Sequence, residues 1–99
     1  MIIERKIKKE ELKKPFIKAV VDVERGKVSI SCELHIDCAD ELLKDGSLGK
    51  SLWGINIYPD KSIDFVSLIN IRPAENNRSM KIESGELRDK IQKIVNNFL

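Results

Sequence analysis

Ninety-nine residues, 41% of them hydrophobic and 34% charged, suffice for one modest core and are too apolar for a disordered chain. No apolar run approaches the roughly 20 residues of a membrane span, and "MIIERKIKKEELKK" lacks the apolar stretch of a signal peptide. A single cytoplasmic domain over residues 1–99, off the membrane, is therefore expected. The net charge of +2 is uneven, with seven Lys/Arg against three Glu over residues 1–18, four against eight over 19–60 and seven against five over 61–99. A total so near zero disfavours a dedicated duplex-DNA binder, and nucleic acid is an unfavoured partner.

"MIIERKI" places Met1, Ile3 and Ile7 on one face and predicts a short strand, and "KKEELKK" predicts a helical turn stopped by Pro15. From Ile17 to Ile36 the alternation predicts a hairpin turning at Arg25-Gly26, with Val23 against Val28, Val21 against Ile30 and Ala19 against Cys32. Its other face is expected to be polar, with Lys18 opposite Glu33. Asp37 is then the cap of a short helix carrying Leu42 and Leu43, which ends at Gly46.

"SLWGINIYP" predicts a strand with Trp53, Ile55 and Ile57 inward, and "SIDFVSLINIR" an interior strand returning beside it. An odd-length connection sets Ile57 against Ile63. Pro73 ends that strand, an eleven-residue loop follows, and a helix starting near Ser84 carries Leu87, Ile91, Ile94, Val95 and Phe98 on one stripe. The fold class is α+β: an antiparallel sheet of four to five strands, a C-terminal amphipathic helix on one face, and one or two short helices.

Cys32 and Cys38 show neither C-x-x-C nor zinc spacing. On one continuous strand they would stand about 20 Å apart, so free, mostly buried thiols are expected, and neither metal nor cofactor. On that strand Glu33, His35 and Asp37 form a row, which makes His35 a candidate base, Glu33 or Asp37 its orienting group and Arg72 an anion clamp. Asn56, Asn70, Arg72, Asn77 and Arg78, with Asn76 beside them, form a ligand-binding candidate, because amides and guanidinium groups on a long loop suit an anion. The same groups also suit the loop's own backbone.

In that order, "VVDVE", "ELH", "LLKDGS", "LWGINIYP" and "INIRPAENNRS" resemble a small prokaryotic family of uncharacterised proteins. They span Val20 to Ser79, with a looser match through the last helix. The resemblance implies kinship and no activity. With no nucleophile motif in sight, the expected function is a non-catalytic binding or interaction module for an anionic ligand or a protein partner. Two alternatives stand beside it: a small hydrolase acting on a phosphate- or carboxylate-bearing substrate, and a structural homo-oligomer subunit.

Overall fold

The computed structural model describes residues 1–12 and 14–99; Lys13, part of the "KKEELKK" segment, lies outside them. Among the described residues, β1 (Ile2–Ile3), β2 (Ile17–Asp22), β3 (Lys27–Ile30), β4 (Leu52–Ile57) and β5 (Ile63–Asp64) form one antiparallel sheet in the order β1-β3-β2-β4-β5. Two α-helices, α1 (His35–Lys44) and α2 (Gly85–Asn96), cover it. The expected α+β class holds. A 3-10 turn at Lys9–Leu12 stands where the helical turn before Pro15 was expected.

The hairpin forms with its side-chain parity as expected but its register displaced by two residues. Val21 pairs with Val28 and Ala19 with Ile30. The cause is Asp22, whose carboxylate accepts from the backbone N–H groups of Glu24 (2.9 Å) and Arg25 (3.0 Å) and from Ser47 Oγ (2.6 Å). These bonds stabilise a longer turn than Arg25-Gly26 alone, closed by Gly26 at φ 67°. A two-residue slip preserves parity, so every side chain keeps its face.

The face expected to be polar is a second core. On it, α1 buries Cys38, Ala39 and Leu42 against Val20 and Leu52. On the other face Ile91 and Val95 of α2 join Ala19, Val21, Trp53, Ile55 and Ile57. Ser84 caps α2 by accepting from the Leu87 N–H at 3.1 Å. Asp37 does not begin α1. The helix starts two residues earlier, and Asp37 reaches back to accept from the Leu34 N–H at 3.3 Å.

Two further expectations are corrected. The strand through Cys32 stops at Ile30, because Ser31 takes φ 63° and turns the chain into α1. Cys32 and Cys38 are then brought to a Cα separation of 5.8 Å and form a disulfide, so neither is a free thiol. The return strand does pair Ile57 with Ile63, as expected of an odd connection. It then leaves the sheet after Asp64, a short edge and not an interior strand. Residues 65–67 turn away to pair with 80–82: the Ser67 N–H donates to the Met80 carbonyl (3.0 Å) and the Ile82 N–H to that of Phe65 (2.9 Å). Leu68–Asn70 forms a 3-10 turn, and Pro73 opens another instead of ending a strand.

Candidate functional site

Where β5 stops, the outer edge of β4 still presents backbone groups that must be paired. Side chains pair them. The Gly54 N–H donates to Asn70 Oδ1 (2.8 Å), and Asn70 Nδ2 donates to the Gly54 carbonyl (2.9 Å) and to that of Met80 (3.1 Å). One amide thus imitates the two-bond pairing of a neighbouring strand residue. Two residues along, the Arg72 guanidinium donates to the carbonyls of Leu52, Gly49 (3.1 Å) and Ile69 (3.2 Å), pairs with Glu75 (3.3 Å), and stacks 3.9 Å from the Trp53 ring centre. Burial disfavours its charge, and Glu75 opposes that shift.

Asn77 is committed in the same way. Its Nδ2 faces the carbonyls of Asn70 (2.7 Å), Ser79 (3.0 Å) and Lys81 (3.0 Å), more acceptors than its two hydrogens can serve at once, and its Oδ1 accepts from the Glu83 N–H (2.8 Å). Asn76 takes the left-handed conformation that closes the turn. Arg78 is exposed, and its backbone N–H donates to Glu83 (2.7 Å). The amide and guanidinium cluster around Asn70, Arg72 and Asn77 therefore braces the sheet edge.

The proposed catalytic trio does not converge. Glu33 is exposed in the loop before α1, and its backbone carbonyl, not its carboxylate, receives Lys18 Nζ (2.6 Å). Asp37 is a turn further along the chain on α1. Glu33 lines a depression apart from the one His35 lines, and Arg72 lines a bay reached only beyond Ile36 and Ile69.

His35 and Asn56 do meet. His35 shares the sheet-facing stripe of α1 with Cys38, Ala39 and Leu42, so its ring lies on β4, where Nε2–H donates to the Ile55 carbonyl at 2.8 Å. A carbonyl only accepts, which assigns the proton to Nε2 and leaves Nδ1 an acceptor in the neutral ring. Asn56 Nδ2 donates to the Val66 carbonyl (3.2 Å), which orients the amide. Its Oδ1 is buried and has no hydrogen-bond partner among the described residues. The amide sits near enough to His35 to favour the protonated ring slightly, without a well-formed bond to Oδ1.

Both groups line a groove of 350 Å³ whose walls are apolar. One bank is the start of α1, with Leu34 and Ile36; the other is the 66–69 segment with Met80; Phe16 and Lys18 close one end. Leu34 is 57% exposed and Leu68 71%, well beyond what core packing leaves uncovered. At Ile36 and Ile69 the groove runs on into a second bay of 200 Å³ lined by Leu43, Leu52 and Arg72.

A family profile described as "Protein of unknown function (DUF5674)" matches residues 1–98. The chain belongs to the DUF5674 family. No curated protein and no solved structure matches it. No helix among the described residues of this DUF5674 chain is long and apolar enough to cross a membrane.

Of the groove of this DUF5674 chain, sequence reasoning found His35 and Asn56 and missed the apolar banks. A signal was present: Ile36 and Leu43, seven residues apart, fall off the Cys38/Ala39/Leu42 stripe that the sheet buries.

Burial lowers the His35 pKa from its ordinary value near 6.5, with the Ile55 carbonyl and Asn56 amide opposing. The unfolded chain therefore binds the proton at higher pH than the folded one. The stability held by neutral His35 is complete above about pH 6.5 and falls as pH drops from there toward the folded pKa. Urea midpoints should fall between pH 7.5 and 5.5 in the wild type, and by less in His35→Gln. Equal falls in both proteins would assign the acid sensitivity to other groups.

Proposed function

We propose that this protein is a cytoplasmic, non-catalytic interaction module, and that its groove receives an aromatic side chain bearing a hydrogen-bond donor from a protein partner. The observation that carries this reading is the buried, unpartnered Asn56 Oδ1 among the residues lining an otherwise apolar groove. A buried acceptor without a donor is costly; because solvent does not reach this oxygen, the Asn56 amide must turn toward the groove to meet an N–H or O–H that arrives on an apolar ring and covers the walls. Indole and phenol side chains have that form and dominate interface anchors.

A second copy of the chain is a poor donor of such an anchor. Its only tryptophan is buried under Arg72, and its only tyrosine, Tyr58, packs 5.8 Å from Phe16. The sheet edges β1 and β5 are two residues each, and the brace on β4 covers the rest, which weakens the structural-subunit alternative. The anion-ligand reading loses its main support because Asn70, Arg72 and Asn77 are spent on backbone. The hydrolase reading is weakened because Glu33 does not orient His35 and Arg72 is engaged by backbone carbonyls.

Titration of ¹⁵N-labelled protein with indole tests this. Shifts should concentrate at His35, Ile36, Asn56 and Ile69. 1-Methylindole, which has no donor, should bind about five-fold more weakly, the equivalent of one hydrogen bond. Leu68→Lys, at an exposed position, should weaken indole binding and leave the fold intact. Equal affinity for the two indoles would overturn the donor-bearing anchor; shifts at Arg72 and Asn77 with inorganic phosphate would restore the anionic ligand. Concentration-dependent dimerisation lost in Leu68→Lys would make the groove a self-interface.

A further inference from the structure

The Cys32–Cys38 disulfide closes a short loop, and the residues inside that loop include Leu34, His35 and Ile36, which form one bank of the groove. Resting on the interaction reading above, we infer that the pair is a reversible clamp on this bank: oxidation holds the groove ready for its partner, and reduction by a dithiol loosens it.

Three observations support the assignment. The covalent link ties the loop to Cys38, which is fully buried in the core beneath α1, so the bank's position depends on it. Outside the link few bonds hold the start of the bank. Leu34, Ile36 and Glu33 are exposed, and Leu34 is tied to Asp37 through its N–H (3.3 Å) and its carbonyl (3.1 Å). Among the described residues, only Lys18 Nζ, on the Glu33 carbonyl, and His35, on the Ile55 carbonyl, link the segment to the sheet. Finally, the sulfurs differ in access, since Cys32 is half-buried and Cys38 is not exposed. In a reducing compartment such a bond is transient and serves sensing more often than structure.

The exchange balances without any other reactant. A thiolate of the dithiol attacks Cys32 Sγ, and Cys38 leaves as a thiolate and takes a proton. The dithiol's second sulfur then attacks the first, forming its own disulfide and releasing Cys32 as a thiolate that is protonated in turn. Two electrons and two protons pass to this protein. An acceptor for the new Cys32 S–H is already placed: Glu41 Oε1 lies 3.4 Å away, and the Ile30 carbonyl 3.7 Å.

The test compares the oxidised protein, the protein reduced by dithiothreitol, and the Cys32→Ser/Cys38→Ser variant. A chelator is present throughout, because Cys32, Cys38 and Glu41 place ligand atoms within 4.8 Å of one another and would collect stray metal once reduced. Amide exchange at Leu34 and Asp37, whose N–H groups donate to the Asp37 carboxylate and the Leu34 carbonyl, should accelerate about ten-fold on reduction, with α2 unaffected. Indole should bind about three-fold or more weakly to the reduced protein and to the variant, because the bank must be ordered on binding, and reoxidation should restore the wild type alone. Unchanged exchange at these amides would overturn the clamp whatever indole does. Faster exchange with no indole binding in either state would leave the clamp standing and remove the interaction reading. Faster exchange with equal indole binding in both states would overturn control of the groove and spare the groove itself.

Discussion

Asn70→Ala is expected to destabilise the protein by about 3–5 kcal/mol, because it strands the Gly54 N–H and the Gly54 carbonyl at a buried site and removes one of the two donors to the Met80 carbonyl, which keeps the Ser67 N–H. Few single truncations of a polar side chain should cost a 99-residue chain as much. Asn70→Asp separates the donor from the acceptor. Its Oδ1 can still receive the Gly54 N–H, but the ionised carboxylate opposes the Gly54 carbonyl, where Nδ2–H now donates. The penalty of Asn70→Asp should therefore be largest at neutral pH and shrink as pH falls toward the ordinary carboxylate value near 4, because the buried acid regains a proton to donate before the unfolded chain does. Urea unfolding of both variants at pH 7 and pH 4 reads this directly. An Asn70→Ala protein within about 1 kcal/mol of wild type would mean that the edge of β4 is satisfied in some other way.

The same amide explains what the sequence conceals. The strand at Leu52–Ile57 was legible, and so was the parity of its connection to Ile63, but its pairing with β2 was not, because no local pattern names a partner strand. Beyond Asp64 the apolar residues still alternate, so "SIDFVSLINIR" reads as strand. The alternation there reports other things: Ile82 and the core below Phe65, the groove bank at Leu68 and Ile69. No local pattern says that one asparagine will replace a strand's hydrogen bonds. The cysteines were misplaced for a related reason. Strand spacing keeps Cys32 and Cys38 far apart only while the strand continues, and the left-handed turn at Ser31 carries no glycine or asparagine to announce it. Asn56, by contrast, was legible as one of the amides that could face a ligand, and its Oδ1 is buried and unpaired among the described residues.

The brace also requires that nothing stand between Asn70 and β4, and Gly54 provides that gap. A Cβ at position 54 would lie 2.5 Å from Ser67 Cβ, 2.7 Å from Ser67 Oγ and 3.1 Å from Ile69 Cγ1. The first two distances are shorter than real contacts allow, and Ser67 is buried with its backbone N–H tied to the Met80 carbonyl. Gly54→Ala must therefore push the 67–70 segment outward, pulling Asn70 off the strand and displacing the Ile69 bank of the groove. We expect a loss of about 3 kcal/mol, at the upper end for overpacking because hydrogen bonds fail along with the packing. Ser67→Gly removes the side chain that collides. Combined with Gly54→Ala it should recover about 1–2 kcal/mol relative to the sum of the single changes, although alone it costs the bond that Ser67 Oγ accepts from the Ile69 N–H. Urea unfolding of the four proteins in this double-mutant cycle gives the coupling. Additive losses would show that the segment yields to the extra methyl freely, and that Gly54 is not what seats the brace.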